Sequence, residues 1–502
     1  MAWRILLIKP YQPIDLWMAA PPVGLLTLAA VLRAERDFTV RFVDFNVRRA
    51  GLQALRTELA GFQPHVVGFS ALNFQLHAAA DLAAEVKRLT PATLTVLGGP
   101  VTHRRSAELL KFSGFDWIFE GEAERSFPQA LRTYFSGGAV FGIAGLSLRE
   151  NGNPRICQST DRIPDLDAIP MPAWDLCEFD RYAREPNGNL IKKHRRYAYL
   201  FTSRGCPYKC AYCHDIFGKK FYAGSADRVL TEIDLLHDTY GIREFHIIDD
   251  IFNFEPERLS YIMKAVTKKY GNRLAFCFPN GMRADILTPA LIDQLADAGT
   301  LSVAVAIETA SRRLQRLIKK HLQIERAIST INYASQRGII VKGFFMLGFP
   351  TETLAEMENT VQLALRSRLT LAHFFAVTPQ PGSPLYELAL HENPETEFIC
   401  DPLQQYNADR PWYENSYGFP LRQFIARAYR RFYAHPSRML RIVRRVPWRS
   451  YAHAVLPALR SVISVQRRAA ESAAANQTTR SAPQNLRHTA VHGAVDGIAA
   501  RQ

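Results

Sequence analysis

Thr202-Ser203-Arg204-Gly205-Cys206-Pro207-Tyr208-Lys209-Cys210-Ala211-Tyr212-Cys213-His214 sets three cysteines at the spacing CxxxCxxC, directly after the apolar run Tyr199–Phe201. Three thiolates on one tight loop can hold three irons of a 4Fe–4S cluster and leave the fourth iron without a protein ligand. Electron-transfer clusters are normally closed by four protein ligands, so an open corner points to chemistry on a molecule bound at that iron. The alternative is a zinc ion with His214 as the fourth ligand. No second ligand pair at finger-like spacing follows, which weighs against zinc.

The elements that must position this loop are legible in the hydrophobic pattern. Residues 1–135 alternate short apolar runs with amphipathic stretches. Strands are predicted at Trp3–Ile8, Thr39–Asp44, Val66–Ser70, Thr93–Leu97 and Trp117–Phe119, with helices near 23–35, 51–61, 77–89, 104–113 and 123–135. Five strand–helix units predict an α/β, doubly wound parallel sheet, which binds ligands at the carboxyl ends of its strands. Residues 136–195, rich in Gly, Pro and Asp, read as an ordered linker. A second series has strands at 199–203, 244–249, 274–278, 301–307, 340–346 and 371–377, and helices near 226–239, 256–270, 288–299, 323–337 and 352–367. It predicts a partial six-unit parallel barrel over 196–390, with the cysteine loop on the carboxyl-end face after its first strand.

The chain has 502 residues and a formal charge of +15. No opening signal peptide and no bilayer-spanning run is visible, and seven cysteines fit a reducing cytoplasm better than a disulfide framework. Cys157, Cys177, Cys277 and Cys400 read as structural thiols, with Cys277 able to face the active cavity. The charge is concentrated: Leu421–Ala470 holds twelve arginines and no Asp, Glu or Lys, interleaved with aromatics. Such a helical segment, over 391–468, suits either an anionic surface or a basic cap packed on the core, broken by Pro436, Pro447 and Pro457. From 469 to 502 the composition reads as a disordered tail.

With both halves in view, the chain resembles the cobalamin-dependent radical S-adenosylmethionine (SAM) enzymes, over residues 1 to about 390. The resemblance rests on an ordered set: Pro21-Pro22-Val23-Gly24-Leu25; Leu97-Gly98-Gly99-Pro100; Glu120-Gly121-Glu122; Ser203-Arg204-Gly205-Cys206-Pro207; Asp249-Asp250-Ile251-Phe252; Ile307-Glu308-Thr309; Gly343 to Pro350; and Pro381 to Tyr386. It implies that Cys206, Cys210 and Cys213 bind the cluster, whose open iron takes SAM. Tyr212 would lie near the adenine, and Asp249 and Asp250 would meet the methionine ammonium. Glu308 would take the ribose hydroxyls, or else form a buried ion pair with Arg283 or Arg312. Gly343 and Gly348 would let backbone approach the nucleoside. Ser70, Gly98, Gly99, Gly121 and Glu122 would surround cobalamin. The Asp-x-His-x-x-Gly pattern that supplies a lower cobalt ligand elsewhere is absent, as is the Gly-Gly-Glu sequence often found at Asp249–Asp250.

The resemblance further implies reductive SAM cleavage to a 5′-deoxyadenosyl radical, hydrogen abstraction from an unactivated carbon, and methyl transfer from cobalamin. Ring closure, rearrangement or oxidation without net methylation is the alternative outcome. RNA methylthiolation is disfavoured, because those relatives use further cysteines in the N-terminal domain and the first cysteine here is Cys157. A zinc-stabilised binding protein is the alternative of another class. The expected partners are a small-molecule or lipid-like substrate, a flavodoxin- or ferredoxin-type reductant, and a membrane periphery met through the basic C-terminal region; nucleic acid is not expected.

Overall fold

The structure is a computed structural model that describes residues 2–12, 19–158, 162–186, 189, 191–380, 382–396 and 411–451. The N-terminal sheet runs β1 (Trp3–Lys9), β2 (Phe38–Asp44), β3 (Val66–Ser70), β4 (Leu94–Gly98), β5 (Trp117–Phe119), β6 (Leu146–Glu150) and β7 (Asn153–Arg155), in the spatial order β2-β1-β3-β4-β5-β6-β7. The first five strands are parallel and the last two antiparallel. Their near-continuous apolar runs follow from burial on both faces. Leu6, Ile8, Val67, Phe69, Leu97 and Ile118 belong to one core, with Leu55 and Leu82 of the helices Leu52–Phe62 and Leu76–Leu89. Ile5, Leu7, Val66, Val96 and Trp117 form the other, with residues of Val23–Ala34 and Ser126–Phe135. The chain reverses its direction of growth between β1 and β3, which opens a crevice at their carboxyl ends.

The stretch 136–195 does more than link. It adds β6 and β7 to the sheet, with Leu148 opposite Trp117. With five and three residues joined through Asn151-Gly152, these strands are too short to stand out in the hydrophobic pattern. Farther on, the Ala173 amide donates to Leu26 O at 3.0 Å and the buried Trp174 indole donates to Glu232 at 3.0 Å, so the segment is stitched to both halves.

The second sheet comprises β8 (Ala198–Leu200), β11 (Glu244–Ile247), β12 (Ala275–Met282), β13 (Thr300–Glu308), β14 (Ile340–Leu347) and β15 (Leu371–Ala376), all parallel, in the order β15-β14-β13-β12-β11-β8. A two-residue antiparallel ladder, β9 (Ser203–Arg204) with β10 (Tyr222–Ala223), brackets the cysteine loop. The intervening helices start where sequence places caps: Ser225 before Ala226–Tyr240, Thr288 before Pro289–Asp297, and a Thr353/Glu356 capping box before Leu354–Arg366. Phe245, Ile247, Phe276, Phe278, Val303, Val341 and Phe345 join the helices in one large core. By alternation, the opposite face of these strands carries Glu244, His246, Cys277, Ser302 and Lys342.

The C-terminal region folds as short helices, Trp412–Tyr417, Leu421–Tyr433 and Pro436–Arg445, and part of it caps the barrel edge. The Tyr433 hydroxyl accepts from Ala372 N at 3.2 Å and the Tyr429 hydroxyl accepts from Phe374 N at 3.1 Å, which satisfies donors of the edge strand β15. Pro436 opens one helix and Pro447 precedes the next turn. Cys400, Pro457 and the 469–502 tail lie outside the described residues. Among the described residues no helix is long and apolar enough to cross a membrane.

Candidate functional site

The carboxyl ends of the two sheets share one cavity of about 660 Å³. The N-terminal sheet contributes Lys9, Ser70, Gly98, Gly99, Gly121 and Glu122; the barrel contributes Tyr199, Arg204, His214, Asp250 and Asn280. All five residues expected around cobalamin therefore line it, as does Asp250.

Two glycines explain how the loops come so close. At Gly99 (φ +91°) a Cβ would lie 2.7 Å from Ser70 Oγ and 2.9 Å from Ala71 N, so β3 and β4 can end side by side only with bare backbone there. At Gly205 (φ +78°) a Cβ would sit 2.1 Å from Lys220 O, inside the turn that leads into Cys206. Gly24, by contrast, borders the cavity, and a Cβ there would meet no protein atom within 4 Å. The bare backbone and the space in front of it fit a bulky ligand at the strand ends.

The charges at the cavity are held by named partners. Arg204 bridges Glu122 and Glu124, each at 2.5 Å, with all three side chains nearly excluded from solvent. Burial lowers the pKa of Arg204 and the two carboxylates raise it, with a net rise. Glu122 also accepts from Ile163 N at 3.1 Å. Lys9, at the end of β1, is pushed down to about 8 by burial, with Asp44 opposing the shift. Asp44 is raised by burial, although Tyr182 and Val47 N donate to it. Glu232 reaches the cavity from the first barrel helix and is pushed up to about 7 by burial.

Cys206, Cys210 and Cys213 are free and half-buried. Burial raises the thiol of Cys206 and pushes Cys213 up to about 11. Thiols in such a place become thiolates when a metal centre offsets the cost, so this donor set fits an iron–sulfur cluster. His214, the proposed fourth ligand of a zinc site, is half-exposed and has Nε2 3.8 Å from Asp250.

The two adjacent aspartates have different surroundings. Asp249 is buried and accepts three bonds of 2.6 Å, from Thr202 N, Thr202 Oγ1 and Ser203 Oγ, so its carboxylate ties down the strand that leads into the cysteine loop. Asp250 borders the cavity, raised by burial and opposed by His214 and the Gly205 amide.

Tyr212 and Glu308 are brought together. The Tyr212 hydroxyl donates to Glu308 at 2.8 Å, and Lys320 reaches both, at 2.9 Å and 3.0 Å. The ion pair open to Glu308 in sequence is thus with Lys320; Arg283 is engaged by Asp285 and Arg312 by Glu325. Glu308 has φ +67°, an uncommon conformation for a non-glycine residue, at the end of β13. Lys320 carries no motif, and only the fold brings it to this pair.

The space beside Gly343 and Gly348 is filled by the chain itself. A Cβ at Gly343 would lie 2.5 Å from Leu369 Cδ1, and one at Gly348 2.7 Å from Leu421 and 2.8 Å from Tyr413. Packing accounts for both glycines. Cys277 does not border the cavity: it is fully buried and pushed up to about 12. It stands with Glu244 and His246, their ligand atoms within 4.8 Å of one another.

The comparisons agree with this geometry. Residues 200–364 match the model of the radical SAM superfamily, and residues 18–131 match the B12 binding domain. An uncharacterized methyltransferase of Pyrococcus horikoshii is 30% identical over 378 residues, spanning 74% of this chain and 79% of its own. The cytidylyl-2-hydroxyethylphosphonate methyltransferase of Streptomyces wedmorensis is 30% identical over 440 residues, 76% of this chain and 80% of its own. Among solved structures, the radical S-adenosylmethionine methyltransferase TsrM from Kitasatospora setae has the same fold, with a TM-score of 0.65 at 19% identity, covering 78% of this chain and 76% of that one. The cysteine loop on a parallel barrel, the doubly wound sheet beside it and these matches lead to one conclusion: the chain is an enzyme of the radical SAM superfamily, in the group that carries an N-terminal B12-binding domain and works with a 4Fe–4S cluster, SAM and cobalamin.

Proposed function

We propose that this enzyme methylates an unactivated carbon of a small, largely apolar molecule. The observation that carries the reading is the single cavity bordered by both sheets, since methyl carrier and substrate must meet in one water-poor space. When bound, the cluster and SAM supply a hydrogen-abstracting radical, and cobalamin carries the methyl group.

The chain's own residues hold and orient. Cys206, Cys210 and Cys213 are the cluster ligands. Asp250 is the better partner for the SAM ammonium, because Asp249 already accepts three protein bonds. Glu308 is the ribose ligand, with Tyr212 and Lys320 fixing its carboxylate. Ser70, Gly98, Gly99 and Gly121 frame cobalamin, while Glu122 holds Arg204 across the cavity. The apolar substrate is supported by the cavity's lining, which includes Leu72, Phe74, Phe201, Ile216 and Phe217. A flavodoxin- or ferredoxin-type protein is the proposed electron source.

The test is anaerobic turnover with SAM labelled in its methyl group, using enzyme loaded with iron and cobalamin. Candidate apolar compounds are supplied and products followed by mass spectrometry. Label in a carbon–methyl bond of the product supports the reading. A product formed without label assigns ring closure, rearrangement or oxidation instead and overturns the methyl transfer.

A further inference from the structure

The helix Pro436–Arg445 turns Arg438, Arg441 and Arg445 inward and Met439, Leu440 and Val443 outward. Arg438 is 3% exposed. Its guanidinium lies 3.6 Å from the Phe432 ring centroid and donates to Phe432 O at 2.9 Å, Leu365 O at 3.0 Å and Ser367 O at 3.3 Å. Arg441 donates to Leu369 O at 3.2 Å and Arg445 to Ser335 Oγ at 3.0 Å. Arg438 and Arg441 thus meet carbonyls at and just beyond the end of the helix Leu354–Arg366, the negative end of its dipole, while Arg445 meets a hydroxyl of the helix Ile324–Gln336. The outward side chains have no such compensation: Met439 is 43% exposed, Leu440 50%, Val443 63% and, on the next turn, Trp448 74%. Three of them lie within one arc of the helix, at i, i+1 and i+4.

The segment that carries this face is strongly basic. Nine arginines and no Asp, Glu or Lys occur from Leu421 to Tyr451. Arg430, Arg444 and Arg449 are exposed and have no carboxylate partner among the described residues. Leu, Val and Met have no hydrogen-bonding group for base edges or phosphates, and a second copy of the chain would set the same positive charge against itself. An apolar stripe with a tryptophan, rimmed by free arginines, matches the boundary between acyl chains and anionic headgroups.

We propose that this face rests on an anionic lipid bilayer, with Met439, Leu440, Val443 and Trp448 in the headgroup–acyl boundary and Arg430, Arg444 and Arg449 against lipid phosphates. The contact is peripheral and independent of the reaction assigned above.

The full chain is floated with phosphatidylcholine vesicles and with phosphatidylcholine–phosphatidylglycerol vesicles. Recovery with the anionic vesicles only, falling as salt rises, is the expected result. Leu440→Glu/Val443→Glu should weaken binding at least about tenfold, and Arg444→Ser/Arg449→Ser by about tenfold at low salt. These side chains point outward, so circular dichroism melting should match the parent; a variant that melts lower is replaced by Val443→Ser alone. Absence of parent recovery on anionic vesicles at low salt overturns the proposal. So does unchanged binding of Leu440→Glu/Val443→Glu, a lipid-free dimer abolished by it, or tighter binding to RNA than to vesicles.

Discussion

The N-terminal sheet buries apolar side chains on both faces, whereas the barrel sheet packs apolar side chains on its outer face and carries polar ones on the other. Both are built from parallel strand–helix units, so the difference lies in closure. A doubly wound sheet has no interior, and ligand space forms only beyond its strand ends, where Gly24, Gly98 and Gly99 leave bare backbone. A curved sheet has an inside, and this one is lined by Glu244, His246, Cys277, Ser302 and Lys342 near its floor and by Asp250 and Glu308 near its mouth. On the proposed assignment the first region would receive its ligand by shape, and the second would orient its ligands by charge and thiolate donors. Substitutions should separate the two, steric changes acting on cobalt content and donor changes acting on iron and SAM.

The largest effect belongs to the cysteine loop. Cys210→Ala removes one of the three proposed cluster ligands and should abolish both bound iron and 5′-deoxyadenosine formation, with cobalt retained. Iron and cobalt analysis of anaerobically loaded protein reads both. The converse is Gly24→Phe. It fills cavity space without touching a protein atom at Cβ, in a helical position whose φ is not left-handed. Cobalt content should fall by about tenfold while iron and SAM cleavage persist, as overpacking of a binding space costs a few kcal/mol. Loss of both metals in either variant would show that the regions do not load independently.

Much of this was legible in the sequence because the strands are apolar on at least one face and the helices are capped. The strands before Trp117 and the six barrel strands stand within a few residues of their predicted places, since period and cap chemistry are local signals. What escaped is non-local. The β6–β7 hairpin is too short to carry a pattern. The split between Asp249 and Asp250 depends on which of two adjacent side chains turns back to Thr202 and Ser203. The Lys320 ammonium reaches Glu308 only after a turn and a helix have intervened. Gly343 and Gly348 carry the signature of a close approach, and the neighbours turn out to be Leu369, Tyr413 and Leu421. Sequence announces that space is short at a glycine but not what takes it.

Arg204 tests the junction between the regions. Its guanidinium on β9 is shared by Glu122 and Glu124 of the N-terminal half. Arg204→Ala leaves two nearly buried carboxylates unpaired and should destabilise the protein by about 3–5 kcal/mol, more than loss of a surface pair. Arg204→Lys keeps the charge but cannot serve both carboxylates as a planar fork, and should fall between. Thermal melting of the apoprotein measures the series. If the alanine variant melts with the parent, the pair does not hold the halves together.

Glu232 gives a smaller effect, dependent on pH. It is a buried carboxyl on the barrel side of the cavity, bonded to the Trp174 indole and raised from 4.5 to about 7 by burial, with Arg228 opposing and Asp249 adding slightly. Between those values the folded chain holds one proton more than the unfolded chain. Its contribution to stability is therefore complete below the unfolded value of 4.5 and is lost as pH rises toward 7. The slope is at most ~1.4 kcal/mol per pH unit. Glu232→Gln copies the neutral carboxyl, keeps an acceptor for the indole and removes the titration. The melting temperature of the parent should thus fall relative to Glu232→Gln as pH climbs through that window, and the two should converge at its acid end. Parallel curves would mean that the carboxylate is already ionised in the folded protein, with Arg228 as its counter-ion, and the barrel side of the cavity would then recognise its ligands by negative charge where a neutral Glu232 would offer them a hydrogen-bond donor.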